Sequence, residues 1–566
     1  MRNNLFKRKY RDYEIEPDQI FLDDFNVSDL NRQQFEGVIE RPISHKTLFI
    51  VGGFFVIVFL LFFGRLFMLQ VIDGHELFVR SEANRLNHIP IFAERGVIYD
   101  RNNVEIAWNT DAGDDEVPFS YRAYTALTGH GHLLGYVNYP QTDSSGNYWR
   151  TDISGQAGLE KKYNEQLAGI NGAELVETNA LGEFISNNSI IEVQDGENLY
   201  TTIDTYIQHY LYDAIGQQAE AGHFQGGAGS IMNVHTGELI AFTSYPEFDP
   251  YTLAEGDDVE AIQGFFNDPR KPFLNRVLSG VYSPGSTIKP FLGLAALNEH
   301  IITEDTRIMS TGRIEVPNPY DPSNPAVYRD WRREGHGITD IRHAIADSVN
   351  TFFYAIGGGW RDQEGLGISR IDDYIADFGI AQKTGIDFGD ESVGTIPSPE
   401  WKADTFEDGT WRLGDTYITS IGQFGFQVTP IQMTRSIAAI ANNGLLVTPR
   451  LVAGATIVEP IEHAIDPADY ELIRLALRDT VTKGIANIVN DTNVSIAAKT
   501  GTAQVGVNNE FYNSWVVGFF PYDEPVYSFS IVMERGPSGG DGSAGRAMRT
   551  FINSVTEHYP EFWETL

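Results

Sequence analysis

Cysteine is absent from the 566 residues. That excludes disulfides, iron–sulfur clusters and thiolate-ligated zinc, and it leaves the compartment open, because a chain with large cores needs no covalent staples. Positive charge is scarce: 41 Lys and Arg stand against 77 Asp and Glu, a net charge of −36. Nothing in that balance offsets phosphate repulsion, which argues against nucleic acid as a partner. Apolar residues are plentiful at 42%, too many for a disordered chain, and the length suits two to four domains. The acidity bears on solubility and charge steering, not on fold.

One apolar run stands out. Thr47 to Gly64 contains 18 residues and no charge. At ~1.5 Å per residue it nearly spans a hydrocarbon core. Leu66 to Leu69 extend it past Arg65, whose stem can snorkel. The 46 residues ahead of it make too long a leader for a cleaved signal peptide, and no small-x-small site follows. The run reads as an uncleaved signal anchor over 47–69, with a polar tail over 1–46. That tail carries eight Lys and Arg and nine Asp and Glu, and its acidic stretch from Asp12 to Asp29 reads as solvated. Arg41 and Lys46 precede the span while Arg65, Arg80 and Arg85 follow, so charge bias alone does not orient it.

Residues 70–195 are mixed and polar, with a strand-then-turn pattern at Arg95-Gly-Val-Ile-Tyr-Asp-Arg-Asn102. Residues 196–566 read as a large α/β domain. Leu199 to Ile203 suggests a strand, and Asp204 caps a helix whose Ile207, Tyr210, Leu211 and Ile215 share a face. Ser230 to Tyr245 reads as a hairpin turning at Thr236-Gly237. Val494 to Ala498, Ser514 to Phe520 and Tyr527 to Met533 read as three strands. Ala547, Phe551, Ile552 and Val555 mark a closing amphipathic helix. The expected fold is a mixed sheet sandwiched by helices, preceded by a mostly β membrane-proximal part.

Ser286-Thr-Ile-Lys289 precedes an apolar helix. Three residues apart, serine and lysine share a face, so the ammonium can reach the hydroxyl and, with a depressed pKa, deprotonate it. Chance alone supplies about one or two S-x-x-K matches in a chain this long; Ser286 is the sole one here. Ser348-Val-Asn350, expected inside a helix from Ile338 to Ile356, offers a hydroxyl to relay a proton and an amide to bind a peptide. Ser145-Gly-Asn147 and Ser186-Asn-Asn188 match that pattern equally well. Lys499-Thr500-Gly501-Thr502 follows the apolar run VSIAA. At a sheet edge it could pair with an extended peptide, its lysine and threonines holding a carboxylate. A second copy, Lys383-Thr-Gly385, lacks the apolar run and reads as a turn after a helix.

The ordered set S-x-x-K, S-x-N and K-T-G is the signature of penicillin-binding proteins and β-lactamases. Both S-x-N decoys precede Ser286 and fail the order. From about residue 40 to the end the chain resembles a class B penicillin-binding protein. The anchor, Arg95–Asn102, Asn275 to Pro290, Ser348–Asn350 and Lys499–Gln504 carry the likeness. Within the class it most resembles penicillin-binding protein 2, the elongation type, through Thr384-Gly-Ile-Asp387, Pro399-Glu-Trp-Lys402, Gly414-Asp-Thr416, Ser420-Ile-Gly-Gln423 and Thr429-Pro-Ile-Gln-Met433; the division type matches this stretch less well.

The resemblance implies a D,D-transpeptidase that cross-links peptidoglycan stem peptides, with no metal or cofactor. Ser286 would be the nucleophile, Lys289 the general base, and Ser348, with Lys499, a proton shuttle. Asn350 would orient Lys289 and a substrate amide. The N–H groups of Ser286 and Thr502 would form the oxyanion hole, and Thr500 and Thr502 would bind the donor carboxylate beside Gly501. β-Lactams should acylate Ser286. A membrane glycosyltransferase of the SEDS family is the implied partner. The substrate's location implies a single-pass cytoplasmic-membrane protein with its N-terminus inside and residues beyond 70 outside. Arg95–Asn102 and Gly158-Leu-Glu160 are only about 55 residues apart, so the family's pedestal head is expected to be reduced. Two rivals stand beside this reading. A carboxypeptidase or β-lactamase could use the same site, although the 151-residue gap from Ser348 to Lys499 suits the transpeptidases. A catalytically idle sensor or scaffold would need an effector domain or a lost motif residue, and the sequence shows neither.

Overall fold

The computed structural model describes residues 45–75, 86–111, 117–144, 146–178, 184–318, 321–540 and 542–566. Residues 1–44 of the polar tail, with its acidic run from Asp12 to Asp29, and Ser145 fall outside them. The apolar run forms helix α1, His45–Phe67, continued by a wider turn to Ile72. The whole stretch has a mean hydropathy of 2.7 in its most apolar window and none of that window is buried by protein. Eighteen or more apolar residues with no protein cover are long enough and greasy enough to cross a bilayer.

His88–Glu177 and Phe184–Leu566 fold together as one unit. Its first part is built of short strands, among them Ile98–Tyr99, Glu105–Thr110 and Tyr121–Tyr124 in one sheet. Arg95, Arg122 and Glu160 meet at its centre. Glu160 accepts from Arg95 Nε at 2.6 Å and Arg122 Nε at 2.7 Å, all three side chains being buried. Burial by itself would push the Glu160 carboxyl up, but the two guanidinium groups outweigh it and hold it below the ordinary range. This first part is tied to the rest of the unit by Asp100, which accepts from Thr205 N at 3.2 Å, and by Glu247, which accepts from Gly129 N and Gly131 N at 2.6 and 2.7 Å.

Helix α2, Thr205–Gly222, starts at Asp204, whose carboxylate accepts from the N–H groups of Tyr206 and Ile207. The expected hairpin comes next as β1, Gly226–Asn233, and β2, Leu239–Tyr245. Gly237 takes φ +73° at its turn. Then come the helices α3 (Lys289–Asn298), α4 (Ile341–Ala346), α5 (Asn350–Gly358) and α6 (Pro430–Ala441). The last strands are β3 (Ala497–Val505), β4 (Phe511–Phe520) and β5 (Tyr527–Pro537), and α7 (Ala544–His558) closes the chain.

The central sheet runs β2-β1-β5-β4-β3. Trp515, Val517 and Phe519 enter one core, Val516 and Phe520 the other. Both faces are therefore covered, which is why these strands read as unbroken apolar runs. The expected helix-covered sheet is present, with one correction: every pairing in it is antiparallel, not mixed. Neighbouring strands such as β1 and β2, or β3, β4 and β5, are joined by short loops, and such loops permit only antiparallel neighbours. The strand expected over Val494–Ala498 is also displaced, beginning at Ala497 and running through the K-T-G residues to Val505. The strand expected over Leu199–Ile203 is only Leu199–Tyr200.

Candidate active site

The helix expected from Ile338 to Ile356 is broken. α4 ends at Ala346 and α5 begins at Asn350, with Ser348 between them at φ +55°. A left-handed serine costs on the order of 1–3 kcal/mol and cannot lie inside a helix. Here it delivers the Ser348 hydroxyl into the site while Asn350 opens the next helix. Sequence periodicity does not register such a corner, because apolar residues flank it on both sides.

Ser286 lies on a tight helical turn, Gly285–Ile288, immediately before α3. Three elements hold that turn. Gly285 N donates to Gly422 O at 2.9 Å, Trp515 Nε1 on β4 donates to Ser283 O at 3.0 Å, and Tyr282 and Val428 exchange backbone hydrogen bonds. Contact with β3 is close: a Cβ on Gly501 would come within 2.7 Å of Pro284 O, and one on Gly285 within 2.8 Å of Thr502 O. Only glycine allows that approach, and Gly285 also sits at φ +56°. Gly422, at φ +73°, would drive a Cβ to 2.1 Å from Gly285 O. The stretch Ser420–Gln423 therefore acts as a backstop for the turn that carries Ser286.

Lys289 is fully buried. Its Nζ donates to Ser348 O at 2.8 Å and Asn350 Oδ1 at 2.7 Å, and lies 3.2 Å from Ser348 Oγ. From β3, fully buried Lys499 reaches Ser348 Oγ at 3.0 Å and its neighbour Thr500 O at 2.8 Å. One hydroxyl thus joins two lysines separated by 210 positions in the chain. Burial pushes Lys289 down to about 7, partly opposed by the charge of Asp330. Burial also drives Lys499 well below the ordinary lysine range, and the neighbouring Lys289 charge adds to it. A neutral amine has two N–H groups and one lone pair. On Lys289 the two acceptors Ser348 O and Asn350 Oδ1 take both N–H groups, which leaves the lone pair for a hydroxyl proton.

The hydroxyls of Ser286, Thr500 and Thr502 make no hydrogen bond to any described residue. Ser286 is partly exposed and Thr502 exposed, and β3 is the edge strand of the sheet. An open serine hydroxyl, buried lysines of lowered pKa and an edge strand are together the parts that acyl transfer to and from an extended peptide requires. Among the described residues no cluster of His, Cys, Asp or Glu could hold a metal ion.

The second K-T-G copy occupies itself. Thr384 N and Oγ1 donate to Glu391 Oε2 at 2.7 and 2.6 Å, and Gly385 N donates to Oε1 at 3.1 Å. The chain's own carboxylate fills it. Of the S-x-N decoys, Ser186–Asn188 lies in the strand Phe184–Ile191 of the first part. Sequence patterns do not single out Asp330, Thr351 or Trp515. Asp330 lies in a polar stretch (YRDWRREGHG) with no periodic or motif signal, and Trp515 reads simply as a core residue.

Residues 227–553 match the family model of the penicillin binding protein transpeptidase domain, and residues 118–201 match that of the penicillin-binding protein dimerisation domain. The peptidoglycan D,D-transpeptidase MrdA of Haemophilus influenzae is 29% identical over 479 residues, which are 78% of this chain and 71% of that protein. Penicillin-binding protein 2 of Pseudomonas aeruginosa, solved in complex with WCK 5153, shares 28% identity at a TM-score of 0.66, covering 83% of this chain and 96% of the other. A chain of a peptidoglycan synthase complex that coordinates polymerization and crosslinking is 25% identical at a TM-score of 0.68, covering 90% of this chain and 98% of its own.

Proposed function

This chain belongs to the penicillin-binding protein transpeptidase family, and from that premise we propose that it is a membrane-anchored peptidoglycan D,D-transpeptidase of the elongation, penicillin-binding protein 2, type. The observation that carries the reading is the Lys289–Ser348–Lys499 network, with the partly exposed Ser286 on the turn that leads directly into Lys289.

Ser286 Oγ attacks the carbonyl carbon of the penultimate D-alanine of a donor stem peptide. The Lys289 lone pair takes the hydroxyl proton as the C–O bond forms. The N–H groups of Ser286 and Thr502 face the developing oxyanion. The C–N bond then breaks, and the leaving D-alanine amine receives a proton through Ser348, which is supplied from the lysine pair. Thr500 and Thr502 bind the donor's terminal carboxylate, Gly501 lets its backbone approach, and Asn350 orients both Lys289 and a substrate amide. An amine of a second stem peptide attacks the ester, gives up its proton by the reverse route and frees Ser286. β-Lactams carry a strained acyl group into the same geometry and stall at the ester.

Residues 1–46 form the cytoplasmic tail, 47–69 the span, 70–195 a pedestal with a reduced head and 196–566 the transpeptidase domain. The catalytic part lies outside the membrane, where the substrate is. A membrane glycosyltransferase of the SEDS type is the partner this assignment favours, supported by the likeness to a chain of a peptidoglycan synthase complex. Brief exposure to penicillin followed by mass spectrometry of the intact protein tests the reading. One covalent adduct is expected on wild type and none on Ser286→Ala; an adduct on the variant refutes the assignment, and rapid loss of the adduct with penicillin turnover favours a hydrolase.

A further inference from the structure

Behind the lysines lies a carboxylate that the reaction scheme does not use. Asp330 follows the strand Ala326–Arg329, and its side chain is wholly buried. Oδ2 accepts from the backbone N–H and the hydroxyl of Thr351 at 3.0 and 2.9 Å, and Oδ1 accepts from Trp331 N at 2.8 Å. Thr351 is the second residue of α5 and directly follows Asn350, the residue that holds Lys289 Nζ. The carboxylate therefore meets one of the free N–H groups of a helix start, that of Thr351, where negative charge is favoured. It does so one residue away from the group that orients the amine.

The charged groups around this position are few. His336 Nε2 lies 3.6 Å from Asp330 Oδ1, and its Nδ1 lies 4.0 Å from Asp347. Neither ring nitrogen of His336 makes a hydrogen bond. Tyr354 of α5 also feels the Asp330 charge. Lys289 itself is faced by Lys499 from β3, by the ring of Phe353 at 5.2 Å from α5, and by the field of Asp330. Among these groups, Asp330 is the negative charge that supports the Lys289 ammonium against burial.

We infer that Asp330 is a positioning residue for acyl transfer at Ser286: through Thr351 it fixes the first turn of α5 and with it Asn350, and its negative charge balances the Lys289 ammonium. The inference rests on the transpeptidase reading above. A neutral side chain at this position destabilises the ammonium, so Lys289 gives up its proton at lower pH. A residue with only a structural role, when removed, slows acylation equally at every pH.

The test is the second-order rate of acylation of the full-length protein in detergent by a fluorescent penicillin, followed from about pH 5 to 9. Asp330→Asn is expected to move the acid limb of the profile down by about half a unit or more. Thr351→Val keeps the charge but removes the hydroxyl that joins Asp330 Oδ2 and, at 2.7 Å, Ser310 Oγ, so it lowers the plateau about tenfold without moving the limb; Thr351→Ser restores the rate, and Ser310→Ala, which cuts only the second contact, leaves it near wild type. A folded Asp330→Asn protein whose limb stays at the wild-type position overturns the inference. If that variant does not fold, the threonine pair decides with Ser310→Ala as its control: a loss with Val that Ser restores and Ser310→Ala does not share supports the inference, and an unchanged rate with Val, or an equal loss with Ser310→Ala, overturns it. Wild type that fails to label at Ser286 overturns the transpeptidase reading itself, a result distinct from either.

Discussion

Lys289 is the residue where stability and chemistry pull hardest against each other. Burial holds its pKa at about 7, so the unfolded chain, with an ordinary lysine, binds more protons between about pH 7 and the normal lysine range. Stability should therefore rise with pH across that window, while below about 7 the full cost of a buried ammonium is present. Activity should follow the same titration, because only the neutral amine has a lone pair. Acylation by penicillin is expected to climb through about pH 7 and then level off; a rate independent of pH from about 5 to 9 would remove Lys289 as the base. The two K-T-G copies separate equally cleanly at this scale. Lys499 donates to the Ser348 hydroxyl, whereas Lys383 adjoins a turn already filled by Glu391. Lys499→Ala should slow acylation by about a hundredfold or more and Lys383→Ala by less than about twofold; the opposite ranking would show that the wrong copy has been assigned. The apolar run ahead of Lys499, absent before Lys383, selected Lys499 in the sequence, but the occupant of the other copy emerges only once Glu391, six residues beyond Gly385, folds back onto it.

At the scale of elements, the informative departures are places where a regular pattern is interrupted for function. The apolar residues on either side of Ser348 read as one helix, yet the structure breaks it with a left-handed serine. Local propensity cannot reveal this, since the partners that stabilise the corner, Lys289, Lys499 and Asp330, come from other parts of the chain. The first part of the folded unit shows the converse: Arg95 and Glu160 stand out in the sequence, but only the fold makes them a buried triad with Arg122. Glu160→Gln leaves two buried guanidinium groups without a counter-charge, which costs about 3–5 kcal/mol. Thermal unfolding should drop by many degrees, with the acylation rate per folded molecule unchanged at low temperature. An unaltered melting point would mean that the triad is not what holds the pedestal together. Because the carboxyl is held below its usual range, its contribution is present above the ordinary glutamate pKa and is lost as pH falls through the depressed value.

For the whole molecule the dominant quantity is the net charge of −36. Self-repulsion of that size works against the compact state and is screened by salt, with a Debye length of ~10 Å at 0.1 M and ~3 Å at 1 M. The melting temperature should rise by several degrees between about 0.05 and 1 M sodium chloride. A flat or falling curve would mean that the acidic groups are already neutralised by local pairing. The family, the long apolar helix and the ordered motifs were all legible in the sequence, because hydropathy, spacing and chain order are local or one-dimensional properties. The tertiary structure alone decided that the sheet is antiparallel throughout, that Ser348 bridges two lysines, that Gly422 and Trp515 brace the turn carrying Ser286 and that Asp330 caps the helix start beside Asn350. Those facts depend on which distant segments share a few ångströms of space, and burial in that shared space, rather than residue type, is what loosens the hold of two ordinary lysines on their protons.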